Sequence, residues 1–232
     1  MKAEGRMSSL MPRLGVPTDV EAIRKAIAEA LDQTDEQGRK IGDSRFGVYA
    51  FFDYDGEPIY VGQTKEKLRV RIRRHLTNHR TDAVAMNVLD PFEVADIAMW
   101  PLWELETVSA ASAAHMLNAA EFTVFQAVLA QSSFNAVLNE KDIVGSQSVE
   151  LALPVRVRII PSELFEARRH PDVRIARRAS TIASLAKVIS ERDVSPGLRR
   201  TLITQARRLE HLARKRFDDF SGEPIEVDHG QE

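Results

Sequence analysis

Two of the chain's three tyrosines stand in short triplets, Gly47-Val48-Tyr49 and Tyr60-Val61-Gly62. Arg71 and His75 follow, then Glu121 in the segment LNAAEFTVFQAV and Asn135 in SSFNAVL. These residue types, in this order, suit the cutting of a phosphodiester bond. That reaction needs a water that loses a proton, a stabilised pentavalent phosphate and a neutralised leaving oxygen. Arg71 offers a planar, always charged fork for a phosphate. A lone carboxylate such as Glu121 can hold one Mg2+, an ion that keeps most of its water shell. Two tyrosines at adjoining strand ends can position or deprotonate water where a cation lowers the relevant pKa values.

The elements that must position these groups are readable from local pattern. Phe46–Phe52 (FGVYAFF) is aromatic and β-branched, hence a strand. Asp53–Pro58 contains Asp-Gly, a turn signal, and Ile59–Gly62 resumes a strand, so the triplets belong to one β-hairpin. In the helix that follows, Leu68, Ile72 and Leu76 recur every fourth residue as an apolar stripe. Arg71 and His75, also four apart, share another face. Val94–Leu102 reads as a third strand. Ser109–Gln131 reads as a long Ala-rich helix with Leu117, Val124, Phe125 and Val128 toward the core. Upstream, Thr18 and Glu21 have capping-box spacing ahead of Val20, Ile23, Ile27 and Leu31. Gly145–Gln147 reads as a linker. Beyond it the pattern is helical: one helix through Ile182, Leu185 and Ile189, a second capped by Ser195-Pro196 and carrying Leu198, Leu202, Leu209 and Leu212.

The tyrosine triplets, the basic helix with Arg71 and His75, Glu121 and Asn135 together resemble the GIY-YIG nuclease family, which includes excision-repair, homing and restriction endonucleases. The resemblance covers roughly residues 44–142. It implies an α/β (α+β) fold, a small mixed β-sheet flanked by helices, and Mg2+-dependent hydrolysis of DNA in one step by water, with Mn2+ as a substitute. It also implies a role for each matching position. Tyr60 would be the general base, and Tyr49 would hydrogen-bond the phosphate or the same water. Arg71 would stabilise the transition state, and His75 would contact Tyr49 or the phosphate. Glu121 would bind the metal, and Asn135 would hold the site together by hydrogen bonds to backbone. One spacing departs from the family: the arginine most often stands ten residues after the second tyrosine, where this chain has Val70. A stretch Gln63–Lys67 longer by one residue moves it to Arg71, in helical phase with His75, and Arg69 is the rival.

Each of these residues also has a plainer reading. The tyrosines could be strand aromatics, His75 a satisfied helix histidine and Glu121 a surface residue. Its neighbours Ala119, Ala120 and Phe122 are apolar, though, so a charge there needs a partner. Asn135 could be a turn residue, with Asn139 its nearest rival. Trp100 and Trp103 read as core or near-core packing.

Composition sets the outer bounds. Hydrophobic residues make up 44% of 232, enough for a packed core. There is no cysteine, which excludes Cys-type zinc sites and a disulfide scaffold and is compatible with a cytoplasmic setting. No apolar run is long enough for a membrane span, and the first residues lack a secretory h-region and read as a flexible leader. The net charge of −2 hides an uneven distribution. Residues 151–217 carry sixteen Lys/Arg against six Asp/Glu, and residues 218–232 carry six acids and no Lys or Arg. With the span that the resemblance implies, the chain is expected to divide into an N-terminal leader and helix (1–43), a GIY-YIG-like nuclease domain (44–142), a basic helical region (150–217) and an acidic flexible tail (218–232). The basic stretch is expected to clamp DNA phosphates, and the arginines picked for DNA are Arg69, Arg73, Arg74, Arg177, Arg178, Arg207 and Arg208. The alternatives for 150–217 are a helical hairpin packed on the nuclease domain and a dimer interface. Double-stranded DNA is the expected partner, with a homodimer or a larger nuclease complex as the assembly. A restriction-like or phage-defence role is expected, with a repair or mobile-element nuclease, or a non-catalytic DNA-binding or partner subunit that kept the fold, as alternatives.

Overall fold

The computed structural model describes residues 17–77, 89–139 and 141–221. Helix α1 (Thr18–Leu31) opens on Pro17 with no side-chain cap, so Thr18 is its first helical residue and the Thr18/Glu21 capping box does not form. Strands β1 (Gly47–Phe52) and β2 (Pro58–Thr64) make the expected hairpin. Helix α2 spans Leu68–Leu76, strand β3 Asp96–Pro101 and helix α3 Ala110–Gln131. Strand β4 (Val155–Arg158), helix α4 (Ser162–Arg169), helix α5 (Pro171–Glu191) and helix α6 (Pro196–Ser221) follow.

The sheet runs in the order β2-β1-β3-β4. The α/β class and the flanking helices are as expected, but every described pairing is antiparallel, so the sheet is not mixed in strand direction. Strand β4 corrects the all-helical reading of the C-terminal part: Val-Arg-Val-Arg alternates with period 2, and it pairs with β3 from Met99↔Val155 to Asp96↔Arg158.

All six residues of β1 are buried because helices cover both faces of the sheet. On one face Tyr49, Phe51, Ile97 and Met99 pack with Ile23, Ile27 and Leu31 of α1 and Leu68 and Ile72 of α2. On the other, Val48, Ala50, Phe52, Val61 and Ala98 pack with Leu117, Ala120, Val124 and Val128 of α3. Among the described residues no helix is long and apolar enough to cross a membrane.

Helices α5 and α6 pack on each other and are fastened to the hairpin by buried ion pairs. Asp53, 3% exposed, accepts through Oδ2 from Arg174 at 2.9 Å and Arg178 at 2.8 Å. Its Oδ1 accepts from the backbone N–H groups of Asp55 and Glu57 and so shapes the β1–β2 turn. Arg174 also reaches Asp55 at 2.5 Å, and Arg178 reaches Glu93 at 3.2 Å. Arg208 of α6, 1% exposed, donates to Glu57, to the Pro58 carbonyl at 2.7 Å and to the Ala136 carbonyl at 2.9 Å. Burial pushes its guanidinium down to about 10, with Glu57 opposing, so it stays charged at neutral pH.

Two of the arginines expected on DNA are thereby corrected. Arg178 and Arg208 point into the protein, where they are buried and bonded to carboxylates and carbonyls. The inward faces of α5 and α6 act as the packed hairpin, with Arg174 joining them. Arg207 remains on the exposed surface, while Arg177 is half-buried against Phe92, whose carbonyl it reaches at 3.5 Å.

Candidate active site

The geometry of the tyrosine triplets follows from the hairpin register. Tyr49 lies opposite Gly62, and Phe51 lies opposite Tyr60. Side chains two apart on a strand share a face, so Tyr49, Phe51 and Tyr60 sit together, with the Phe51 and Tyr60 rings stacked at 5.9 Å. Gly62 is what lets the Tyr49 ring lie across β2. A Cβ there would stand 2.6 Å from the Tyr49 hydroxyl and 2.8 Å from the Tyr60 ring. Gly47 serves the neighbouring contact, because a Cβ on it would meet the Leu68 side chain at 2.9 Å and push α2 off the sheet. Gly62→Ala is accordingly expected to displace both phenols and lower any activity of the site by about tenfold to a hundredfold, in the range for a misplacement of about 1 Å. Cleavage rate measured beside near-ultraviolet circular dichroism of the tyrosines checks this.

Helix α2 delivers the second pair of groups. Leu68, Ile72 and Leu76 bury its apolar stripe, and Arg71 and His75 project toward the phenols. The Tyr49 hydroxyl and His75 Nε2 are hydrogen-bonded at 3.1 Å, and the His75 and Tyr60 rings are 5.2 Å apart. Burial drives the Tyr49 phenol well above its ordinary pKa, with the Tyr60 phenol adding to the rise and Arg71 opposing it. Tyr49 therefore stays protonated and is suited to hydrogen bonding. Tyr60 is only partly buried and is the tyrosine that solvent can reach.

The guanidinium of Arg71 is half-buried, and its Nε has no hydrogen-bond partner. Burial opposes its charge, while Tyr49, Tyr60 and Glu66 raise its pKa and hold the charge in place. Arg69 is differently engaged: it pairs with Asp43 and Asp32, each at 3.0 Å. Of the two arginines, Arg71 is the one turned to the tyrosines. Arg74 pairs with Glu66, and Arg73 is exposed.

Glu121 approaches from the opposite face of the sheet. Strand β2 is an edge strand, so a group on α3 can meet groups on α2 around that edge. On its own face Glu121 is held by Gln63 of β2, whose Nε2 donates to Glu121 Oε2 at 2.9 Å and to Asn118 Oδ1 at 2.8 Å. Burial pushes the Glu121 carboxyl up, while the Gln63 hydrogen bond and the charge of Arg71 pull it down. Among the described residues no group of three or more His, Cys, Asp and Glu could hold a metal ion. A single carboxylate fits a hydrated divalent cation that keeps most of its waters. The buried, unpartnered Gln63 Oε1 beside it is an oxygen donor that such a cation or its waters could satisfy.

Asn135 does not take the place expected of it. It is exposed, in the turn after α3, with φ of 47°, a left-handed conformation that asparagine tolerates. Asn139 makes the backbone hydrogen bonds instead. Its Oδ1 accepts from the Val61 N–H at 3.1 Å and its Nδ2 donates to the Val61 carbonyl at 2.7 Å. The Leu138 N–H adds a bond to the Ile59 carbonyl at 2.7 Å. Together they satisfy the outer edge of β2, which carries Tyr60 and Gly62. Asn139→Ala is expected to destabilise the fold by about 1–3 kcal/mol, because both Val61 groups lose partners, and Asn135→Ala by well under half of that. Thermal denaturation of both variants decides between them. Asn139, Gln63 and Asn118 are the residues the sequence reading ranked second or passed over.

The whole is a small antiparallel α/β domain with two tyrosines, a histidine, an arginine and a carboxylate around its edge strand. Residues 45–105 match the model of the GIY-YIG catalytic domain, which supports the resemblance carried by the tyrosine triplets and by Arg71 and His75. The match takes in Tyr49, Tyr60, Arg71 and His75 and ends before Glu121. Comparison with curated proteins and with solved structures gave no match.

Proposed function

We propose that the chain is a metal-dependent DNA endonuclease whose active site is the cluster at the edge of β2. The observation that carries this reading is the convergence there of Tyr49, Tyr60, Arg71 and His75 from one face and Glu121 from the other. Tyr60, the more accessible phenol, takes the proton of the attacking water. Tyr49, kept protonated by burial and tied to His75, orients that water or a phosphate oxygen. The guanidinium of Arg71 receives the charge that builds on the phosphate. Glu121 holds the divalent cation, Mg2+ or in its place Mn2+. When bound, that ion neutralises negative charge on the phosphate and the leaving oxygen.

Duplex DNA is the proposed substrate, reached by the exposed Arg73 and Arg207. The proposed setting is a cytoplasmic restriction-like or phage-defence nuclease whose catalytic unit lies within 44–142. Cutting both strands with one site per chain favours a homodimer. On this reading, supercoiled plasmid in Mg2+ passes to nicked and linear forms, and EDTA stops the conversion. Binding of plasmid without cutting, in Mg2+ and in Mn2+, sinks the reading in favour of a DNA-binding subunit that kept the fold.

A further inference from the structure

Gln63 has a chemistry that the reading so far leaves unused. Its Nε2 donates to two acceptors, Asn118 Oδ1 and Glu121 Oε2. An ionised carboxylate only accepts, so the amide cannot be reversed without setting its oxygen against an anionic oxygen. Both amide hydrogens are therefore taken, and Oε1 is the polar atom of the amide left to be satisfied. That oxygen is buried and finds no donor among the described residues. A buried acceptor without a donor costs about 1–3 kcal/mol, and native structures keep few of them. An amide oxygen is a hard, neutral ligand of the kind Mg2+ and Mn2+ accept. Here it sits on the same amide whose nitrogen holds the Glu121 carboxylate.

We propose that Gln63 Oε1 is a second protein ligand, beside Glu121, of the divalent cation at the edge of β2. The proposal rests on the reading that Glu121 binds that cation. Asn118 then has a positioning role: by accepting one amide hydrogen it fixes the plane in which the Gln63 oxygen is presented. The pair offers one negative charge and two oxygens, which leaves the remaining coordination positions to water and to phosphate oxygens.

The test is Mn2+ binding by the full chain without DNA, read by the electron paramagnetic resonance signal of free Mn2+. Four proteins are compared: wild type, Glu121→Gln, Gln63→Leu and Gln63→Glu, with far-ultraviolet circular dichroism as the folding control. The wild type is expected to bind one Mn2+ and Glu121→Gln to lose it. Gln63→Leu is expected to bind about tenfold or more weakly, the scale seen when groups supporting a metal site are removed. Gln63→Glu keeps an oxygen at the site and adds charge, so it is expected to bind at least as tightly as the wild type. If Gln63 only orients Glu121, Gln63→Glu must weaken binding as Gln63→Leu does, because a carboxylate cannot donate to Glu121, and that result overturns the proposal. Wild-type affinity in Gln63→Leu overturns it equally. Unchanged binding in Glu121→Gln, or no saturable binding by the wild type, defeats the assignment of Glu121 and the proposal with it. Should Gln63→Leu not fold, Gln63→Glu alone still decides.

Discussion

Arg71→Ala is expected to lower the single-turnover rate of DNA cleavage by about 10^3 while the protein melts within a few degrees of the wild type. Removing one donor aimed at developing charge lowers rates by about 10^2–10^3, and a guanidinium presents more than one donor to a phosphate. The side chain is placed for this work. It is half-buried among the tyrosines and has an unpartnered Nε, and no carboxylate shares an ion pair with it among the described contacts. Arg71→Lys keeps the charge but loses the planar fork, so it should recover only part of the rate. Arg69→Ala is the control. Its donors already belong to Asp43 and Asp32, so its removal should act on stability and leave the chemical step within a few fold. Equal rate losses in Arg69→Ala and Arg71→Ala would contradict this division.

The second large effect is on stability. Asp53→Ala removes the carboxylate that shapes the β1–β2 turn and receives both Arg174 and Arg178. Two guanidiniums then share fewer buried counter-charges, and breaking a buried pair on one side costs about 3–5 kcal/mol. For a chain of this size that corresponds to a fall in melting temperature of roughly 6–20 °C, measurable by scanning calorimetry. Arg73→Ala and Arg207→Ala, on the exposed surface, should leave it nearly unchanged and weaken DNA binding instead. The contrast separates arginines that hold the fold from those free to meet phosphates, which total charge cannot do.

That contrast also explains what the sequence made legible. The hairpin, the apolar stripe of α2 and the Arg71/His75 face were readable because each depends on neighbours a few residues apart. Local pattern is silent on which face of a helix meets acids from another part of the chain. Arg178 and Arg208 therefore looked like DNA contacts, although Asp53 and Glu57, more than a hundred residues upstream, had already claimed them. The exchange of Asn135 for Asn139 has the same origin. Four residues decide between a turn and the outer edge of β2, and only the pairing register shows which one reaches Val61. Strand β4 was missed because its four residues carry two arginines within a basic stretch, and the charge masked the period-2 alternation. Gln63 carried no signal of its own, since its importance lies in a carboxylate on a helix far along the chain.

The most direct test of the site is the cleavage of a supercoiled plasmid in Mg2+ by the wild type beside a folded Glu121→Gln variant, which keeps the shape of residue 121 and removes its charge. The account predicts nicked and then linear DNA with the wild type and a rate at least about 10^2 lower with the variant, the scale of losing one transition-state interaction. Equal cleavage by the two proteins would contradict it, because the carboxylate at the edge of β2 would then take no part in the reaction.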